Sequence, residues 1–554
     1  MTKKVSFQPI IFLLIALFLF FLPLLTIFIK SFALEGGRWG LNNFMTIFQS
    51  ERTLHAIKNT IIIALISTLI SVVLGTLMAV LVAFTNVKHK KLLELLTLLP
   101  YVIPGYVITL SWTSLFAANS PVNGWLQSIG LPAVNMFSMQ GIIFVMGLAN
   151  TALVYLNLID SLRKIPLEQD WASHVAGYGT WETLKNIDLK AVLPAIIHGM
   201  ILSFLNTVDN FAVVSTLGTT AGINVLTTYI YEKAIGFGPS STSQAAVLAV
   251  FLAAIAFTGI ALQAWVLRKV IARQTSRPNY TPRIYFKHRT NQIVSYLLLF
   301  ILFALSILPL LFMFLSSFQI GYSRSIFDIS NMGLKNYQFI LTSPSMYRGF
   351  LTSLTLTLLA IFICIGLAVW VAYYKTRING RGTLLLEWGA SLTFSTPGIV
   401  LALCMILYWS QVPHVYGTMK ILLIAYVTRY LLIILNGAKT AMAEVPKSLE
   451  EAAAISGSKA FQKWTKIMIP LITKQIFSSS FLMFTAAFTE LTLSSLLAAA
   501  NSKTVGLTIF NLQTGGDNNV AQAYSVIITL FVVAMILVRN YFERKEVRHE
   551  STRH

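Results

Sequence analysis

Three ionisable residues lie inside long apolar stretches of this 554-residue sequence, namely Asp209, Glu490 and Arg429. A charged side chain in such surroundings is costly and by default marks an ion or substrate pathway. Two carboxylates on one pathway suit a cationic cargo or a gate. The alternative is structural, with Arg429 neutralising Glu490 in a buried ion pair. The sequence leaves both interpretations open.

Two proline–glycine pairs interrupt other apolar stretches, Pro104 with Gly105 and Pro397 with Gly398. Because proline removes a backbone donor and clashes with the preceding turn, each pair predicts a broken helix. Broken backbone is tolerated at membrane depth only where it packs on protein or lines a cavity. The pairs therefore indicate either the lining of a pathway or simple kinks.

The composition is that of a membrane protein with many spans. Hydrophobic residues make up 56% of the chain, charged residues only 11%, and the mean hydropathy is +0.72. Since one crossing needs roughly 20 residues, the apolar stretches predict about twelve transmembrane helices in an all-α integral membrane protein. These stretches lie near residues 10–32, 55–85, 92–117, 139–160, 191–217, 244–267, 291–318, 350–374, 384–410, 419–440, 467–498 and 521–540.

Basic residues outnumber acidic ones by 41 to 20 and form short clusters in alternate loops, whereas residues 118–138 contain no Lys or Arg. This pattern follows the positive-inside rule and is not typical of nucleic-acid binding. Both chain ends and the central linker are therefore predicted to be cytoplasmic, with the first apolar run a retained helix. The clusters contain Lys88, Lys90, Lys91, Arg163, Lys164, Lys375, Arg377, Arg381, Arg544 and Lys545, and the linker contains Arg268, Lys269, Arg273, Arg277, Arg283, Lys287 and Arg289.

The two groups of six helices repeat one another. Matching residues are 293 positions apart up to the proline–glycine pairs and 280 apart beyond them. Six helices return the chain to its starting side, so the copies are predicted to be parallel repeats. The matches are Asn43 with Asn336, Pro104 with Pro397, Pro166 with Pro446, Gly177 with Gly457, and Asn210 with Glu490. We divide the chain into a first domain at 1–267, a basic linker at 268–290, a second domain at 291–541 and a tail at 542–554.

One stretch on the predicted cytoplasmic side has a distinctive spacing. It consists of Glu451, Ala452 and Ala453, then Gly457 after three residues, then Ile467, Ile469 and Pro470 after nine more. This pattern resembles the E-A-A, three residues, G, nine residues, I-x-L-P loop of the binding-protein-dependent permeases of ABC importers. Ile469 replaces the family's leucine, and every other position agrees.

The same stretch predicts a short, rigid helix. Ser448 followed by Glu451 fits a capping box, with Ser448 as the N-cap. The alanines favour a slim helix beside Glu450, and Gly457 allows a turn. In the family this helix docks into a cleft of the ATPase subunit, and the resemblance implies the same role here.

The first half carries a degenerate copy at residues 168–190. It contains Asp170 and keeps Ala172 and Gly177, but Trp171 stands where the second half has Glu451, and Lys190 where it has Pro470. Docking through this copy is therefore predicted to differ from docking through the loop of the second half.

The resemblance implies a permease subunit that binds no cofactor of its own. No G-x-x-x-x-G-K-[ST] phosphate loop occurs, so ATP and Mg²⁺ are expected on a dimer of separate ABC ATPase subunits. An extracytoplasmic binding protein should deliver the solute, and the surroundings should be the inner membrane of a bacterium. The two halves should alternate access to a central path.

The cargo is less constrained. Two permease domains fused in one chain resemble the iron(III)-type permeases, and also those for thiamine and 2-aminoethylphosphonate. Arg429 with Tyr430 and the proline–glycine pairs favour the iron(III) group, although no metal ligand is identified. A secondary transporter of the major-facilitator kind is the rival interpretation, but such a transporter would not need the loop with Ala452, Ala453 and Gly457. A membrane enzyme or receptor scaffold ranks behind both.

Overall fold

The computed structural model describes residues 7–238, 240–269, 278–321, 325–378 and 381–551, so Arg273 and Arg277 of the predicted linker lie outside it. Within these ranges the chain is helical, and β contacts are limited to three isolated bridges, which confirms the all-α class. The α-helices of the first half are α1 (Gln8–Ala16), α2 (Leu22–Ser31), α3 (Asn42–Gln49), α4 (Glu51–Phe84), α5 (Lys90–Val102), α6 (Gly105–Leu115), α7 (Pro121–Ser128), α8 (Met139–Arg163), α9 (Leu167–Val175), α10 (Thr180–Thr183), α11 (Leu189–Ala191), α12 (Leu193–Asp209), α13 (Ala212–Thr220), α14 (Leu226–Ile235) and α15 (Ser241–Lys269).

The second half follows the same order. Its helices are α16 (His288–Ser306), α17 (Leu308–Ser316), α18 (Lys335–Thr342), α19 (Pro344–Tyr373), α20 (Leu384–Ser395), α21 (Gly398–Trp409), α22 (Met419–Glu444), α23 (Lys447–Ile455), α24 (Ala460–Lys463), α25 (Ile469–Phe488), α26 (Thr492–Leu497), α27 (Val505–Thr514) and α28 (Asn518–Ser551). Helix α28 thus continues past residue 541, where the predicted tail begins.

In the described part of the chain, nine helices are long and apolar enough to cross a membrane, and three bent pairs raise the number to twelve. This agrees with the prediction of about twelve spans. The predicted stretches 191–217 and 467–498 are not single helices, however. Each is broken after Asp209 or Phe488, and a separate short helix, α13 or α26, follows.

The two proline–glycine pairs break their helices as predicted. The chain bends by 105° between α5 and α6 and by 119° between α20 and α21. The residue before each proline, Ile103 or Thr396, has extended backbone with ψ of 135° or 133°, and the next helix begins at the glycine. Proline disfavours helical backbone at the residue before it, so the break falls at the same place in both halves.

The repeat extends to irregular local features. A five-residue π-helical segment lies at Leu184–Asp188 and again at Trp464–Met468, offset by 280. The Asn43 side chain donates to the carbonyl of Ala33 at 2.8 Å, and its counterpart Asn336 donates to the carbonyls of Ser317 and Gln319 at 2.9 and 2.8 Å. Local bonds at matching positions therefore hold matching loops.

Each half packs its first helix against the other half. Phe12, Ala16 and Phe20 of the first half are buried in a hydrophobic cluster made mostly by the second half. Gly389 of α20 lets Phe20 approach, because a Cβ built there would lie 2.5 Å from the ring. In return, Ser306 of α16 donates to a carbonyl of α5 at 2.8 Å. We call this arrangement the helix exchange.

Candidate functional site

A short helix, α23, opens the second loop, which we define as residues 446–470. The N–H of Ser458 donates to the carbonyl of Ala453 at 3.0 Å, and that of Gly457 to Ala454 at 3.1 Å. Gly457 has φ of +73°, a left-handed conformation that other residues adopt only at a cost. It therefore ends the helix in the glycine motif typical of C-termini.

The predicted capping box is wrong. The N-cap of α23 is Pro446, and Ser448 is the second helical residue, with no side-chain cap. Pro446 has φ of −62° and ψ of 137°, so the chain enters the helix directly from the proline. Glu451 is consequently free of a capping role and is exposed.

The exposed face of α23 combines the charged Glu451 with small and apolar residues. Ala453 is 5% exposed and packs inward, whereas Ala452 and Glu451 face outward and Ile455 is 89% exposed. Farther along the loop, Ile467 is half-buried in the π-helical segment. Pro470 is the second residue of α25, directly after that π-helical segment, and it has no backbone N–H to donate.

The first loop, residues 166–190, has the same construction. Gly177 has φ of +89°, and the N–H of Tyr178 donates to the carbonyl of Ser173 at 3.1 Å. Ser173 is buried where Ala453 is, and Ala172 and Trp171 are exposed. Val175, at the place of Ile455, is 91% exposed. The copy that is degenerate in sequence thus keeps the geometry of the complete one.

Glu450 faces the protein instead of presenting a docking surface. Its carboxylate binds Arg377 Nε and, at 2.8 Å, Lys463 Nζ, and both arginine and glutamate side chains are nearly buried. Burial raises the pKa of a carboxyl group, but the hydrogen bonds from Lys463 and Arg377 outweigh that effect, so the pKa of Glu450 lies below its usual value. Glu450 anchors α23 to the end of α19.

Asp170 has the corresponding position in the first loop. It binds Arg283 Nη1 at 2.7 Å, and Arg283 is also 3.2 Å from Asp188. Sequence reasoning counted Arg283 and Arg377 only as positive-inside charges. The anchors were missed because the partners are 113 and 73 residues apart and no local pattern connects them.

Asp209 joins the two halves inside the bundle. Its carboxylate lies 2.7 Å from Arg429 Nη2 and accepts a hydrogen bond from the backbone N–H of Gly398. Arg429 also donates to the carbonyl of Thr396 at 3.0 Å. Asp209 thus binds one side of the helix break in the second half directly, and its partner Arg429 binds the other side.

The alternative that the sequence left open, an ion pair between Arg429 and Glu490, is wrong. Glu490 accepts a hydrogen bond from Tyr430 Oη instead, and Arg429 binds Asp209. Successive residues of a helix are about 100° apart around its axis, so neighbours on α22 face different partners. Arg429 points toward the other half and Tyr430 toward its own.

Asn210 and Glu490 have the same role at the two breaks, as their 280-residue offset predicts. The Asn210 side chain accepts from the N–H of Val213 at 3.0 Å, and Glu490 accepts from that of Leu493 at 2.8 Å. Each cap starts the short helix beyond the break. Asp209 has Thr489 as its counterpart, so the charge on Asp209 is not repeated.

In each half, the break at the proline–glycine pair packs against the break that precedes α13 or α26. A Cβ added to Gly105 would lie 3.5 Å from Ala212 Cβ, and one added to Gly398 would lie 3.0 Å from Thr492 Cγ2. Ala212 and Thr492 are equivalent first residues of α13 and α26. The freed backbone groups next to Pro104 and Pro397 thus lie where two interrupted spans of each half meet.

A cavity of about 980 Å³ lies between the halves, lined in part by residues 113–137, and Lys335 and Asp517 contribute charged groups to its wall. Carboxamide side chains contribute to its wall, among them Asn135, Gln319, Gln513 and Gln522. The Oε1 atom of Gln522 is buried and has no hydrogen-bond partner. Among the described residues, no group of three or more His, Cys, Asp or Glu side chains is arranged to hold a metal ion.

Comparison with known proteins gives several relatives. A Salmonella typhimurium permease protein named for a 2-aminoethylphosphonate transport system is 30% identical over 42% of this chain and 83% of its own length. A ferric transport system permease protein of Actinobacillus pleuropneumoniae is 24% identical over 94% of this chain and 76% of its own. A sulfate transport system permease protein of Escherichia coli is 27% identical over 37% of this chain and 68% of its own.

The fold comparison is weaker. A bacterial ABC transporter involved in alginate import matches with a TM-score of 0.37 and 19% identity, covering 44% of this chain and 87% of that one. A likeness at that level supports no conclusion about function.

The family comparison covers both halves. Residues 71–272 and 364–545, together more than half of the chain, match one family of transport proteins. The chain belongs to the family of inner membrane components of binding-protein-dependent transport systems.

Proposed function

We propose that this chain is the permease of an ATP-driven importer, with both halves of the translocation unit in one polypeptide. The observation that carries the proposal is the pair of loop helices α9 and α23. They share a glycine turn, a buried anchor and an exposed apolar tip, Val175 or Ile455. A rigid helix with an apolar tip suits docking into a groove of a partner.

The partner that fits both loops is a dimer of ABC ATPase subunits, one for each loop helix. ATP and Mg²⁺ would be bound by that dimer, and this chain would contribute no nucleotide site or cofactor. Closure of the dimer would move α9 and α23, and the halves would rock about the central path. In this proposal the loops and both chain ends would lie on the cytoplasmic side.

The path would run between the halves past Asp209 and Arg429. In this arrangement their ion pair joins the halves at the break between α20 and α21. The cavity with carboxamide side chains then lies on the other side, open toward a binding protein. The ion pair would separate when the path opens inward, so we assign it to the gate.

For the cargo we favour iron(III). The ferric permease relative aligns with 94% of this chain, hence with both halves. The relatives named for 2-aminoethylphosphonate and sulfate align with 42% and 37% of it. 2-Aminoethylphosphonate, thiamine and other small solutes are the alternatives within the same class.

We expect the complex, purified from native membranes in mild detergent, to retain two ATPase subunits for each chain. Uptake into proteoliposomes should require ATP and a binding protein, and protonophores should leave it unchanged. Retention of another solute by the binding protein would reassign the cargo but keep the importer class. Uptake driven by an ion gradient without nucleotide would overturn that class in favour of a secondary transporter.

A further inference from the structure

Both loop helices are anchored by an arginine that makes the same two bonds. In the second half, Arg377 binds Glu450 and donates from Nη2 to the carbonyl of Val445 at 2.9 Å. In the first half, Arg283 binds Asp170 and donates from Nη2 to the carbonyl of Ile165 at 2.6 Å. Both pairs of partners are offset by 280 residues. The two guanidinium groups therefore have equivalent places in the repeat.

The two arginines come from different parts of the chain. Arg377 belongs to the π-helical segment that extends α19, and its counterpart at the 293-residue offset is Phe84, the last residue of α4. A phenyl ring has no donor for Asp170. The guanidinium carbon of Arg283 lies 4.3 Å from the centroid of the Phe84 ring instead. The place of the missing arginine is thus occupied by one from the segment between the halves.

Backbone bonds fix that segment on the first half. The N–H groups of Arg283 and Ile284 both donate to the carbonyl of Phe84, at 2.7 and 2.8 Å. The N–H of Asn279 donates to the carbonyl of Arg163 at 2.7 Å, and Asn86 exchanges two hydrogen bonds with the backbone of Phe286. The described part of the segment, from Asn279 to Phe286, is therefore fixed on the first half.

The anchor in the first half is deeply buried. The side chains of Arg283, Asp170 and Asp188 are only 7%, 9% and 4% exposed. Loss of Arg283 would leave two buried carboxylates without a counter-charge, which is strongly unfavourable. Because Asp170 is in the first turn of α9, the position of that helix depends on this guanidinium.

We infer that the segment joining the halves is a functional part of the first loop, in which Arg283 is a positioning residue that replaces an arginine absent from the first half's own helix. This inference rests on the proposed docking of α9 and α23 to an ATPase dimer. Separate control of the two loops follows. Changes at Arg283 should act on α9, and changes at Arg377 should act on α23.

The test measures docking of each loop separately. Single cysteines placed by Val175→Cys or Ile455→Cys report the contact of one loop helix with the ATPase by cross-linking, since Cys364 and Cys404 are buried. We expect Arg283→Ala to lower cross-linking at 175 and ATP-driven uptake by roughly tenfold or more, with cross-linking at 455 retained. Arg377→Ala should lower cross-linking at 455 and retain it at 175, with a smaller effect because Glu450 keeps Lys463 as a partner.

The rescue variant is Arg283→Ala combined with Phe84→Arg, which places a guanidinium where the second half carries Arg377. It should restore at least half of the lost uptake and cross-linking. Arg289→Ala removes an exposed charge of the same segment and should leave both unchanged.

The outcomes separate the two claims. If neither cysteine cross-links to an ATPase in the otherwise native protein, the proposed function fails. If both do and Arg283→Ala leaves the contact at 175 intact, only the inference about Arg283 fails. Should Arg283→Ala not accumulate in membranes, recovery of the protein by Phe84→Arg supports the inference, and no recovery overturns it.

Discussion

Replacing Gly457 by glutamate is expected to reduce uptake by about tenfold or more while the protein still assembles in the membrane. Two effects combine. A side chain at φ of +73° costs about 1–2 kcal/mol, and the added carboxylate lies beside the exposed tip of α23. The site has open space, with nothing within 4 Å of the new Cβ, so the core is not disturbed. ATP-driven uptake and ATP hydrolysis should be measured on the same proteoliposomes.

A matched control distinguishes strain from docking. Gly417 has φ of +70° and equally open surroundings, but it lies in the loop between α21 and α22. Gly417→Glu should therefore retain most of the uptake. Gly177→Glu, at the equivalent turn of the first loop, should resemble Gly457→Glu. If Gly457→Glu transports normally, α23 has no role in docking.

Removing the carboxylate of Asp209 is expected to have the largest effect inside the membrane. Asp209→Ala leaves Arg429 without its ion pair. Breaking a fully buried pair costs about 3–5 kcal/mol, and this pair should cost less because the Asp209 side chain is 27% exposed. It also removes the acceptor for the N–H of Gly398. We expect at least a hundredfold loss of coupled uptake, which corresponds to about 2.7 kcal/mol, together with a lower thermal unfolding midpoint in detergent.

Further variants separate charge from hydrogen bonding. Asp209→Asn keeps an acceptor for Gly398 and loses only the charge, so it should be less harmful than Asp209→Ala. Asp209→Asn with Arg429→Gln removes both charges and should recover stability without recovering uptake, as a gate requires. Thr489→Ala changes the equivalent residue of the second half, which bonds only within its own helix, and serves as the control. Full uptake by Asp209→Ala would exclude the gate.

The features that sequence alone predicted are those written into local composition. The number of spans follows from apolar length, and the breaks at Pro104 and Pro397 follow from the chemistry of proline. The equivalence of Asn210 and Glu490 followed from one constant offset and appears in matching helix caps. The spans and the breaks depend on residues close together in the chain, and the equivalence of Asn210 and Glu490 depends on the regularity of the repeat.

The features that sequence did not predict depend on how helices are rotated and packed. Nothing near Arg429 shows that it faces Asp209 rather than Glu490, because that choice depends on the orientation of α22 between the halves. Ser448 was a plausible cap by residue type, but Pro446 already starts the helix. The anchor formed by Arg283 was hidden because its role depends on the absence of an arginine at Phe84.

The helix exchange has a consequence for biosynthesis. Phe20 leaves the ribosome about 370 residues before Gly389, its neighbour in the finished protein, and at roughly 5–20 residues per second the delay is about 20–70 s. During this time α1, whose neighbours in the finished protein belong to the second half, must face lipid. Among the nine unbroken spans of the described chain, Gln8–Ser31 has the highest hydropathy, 3.1, and the other exchanged segment, His288–Ser316, is next at 2.9. His288–Ser316 packs on α5 and α6, which are made before it, so only the N-terminal segment has this long wait, and it is the span best suited to lipid.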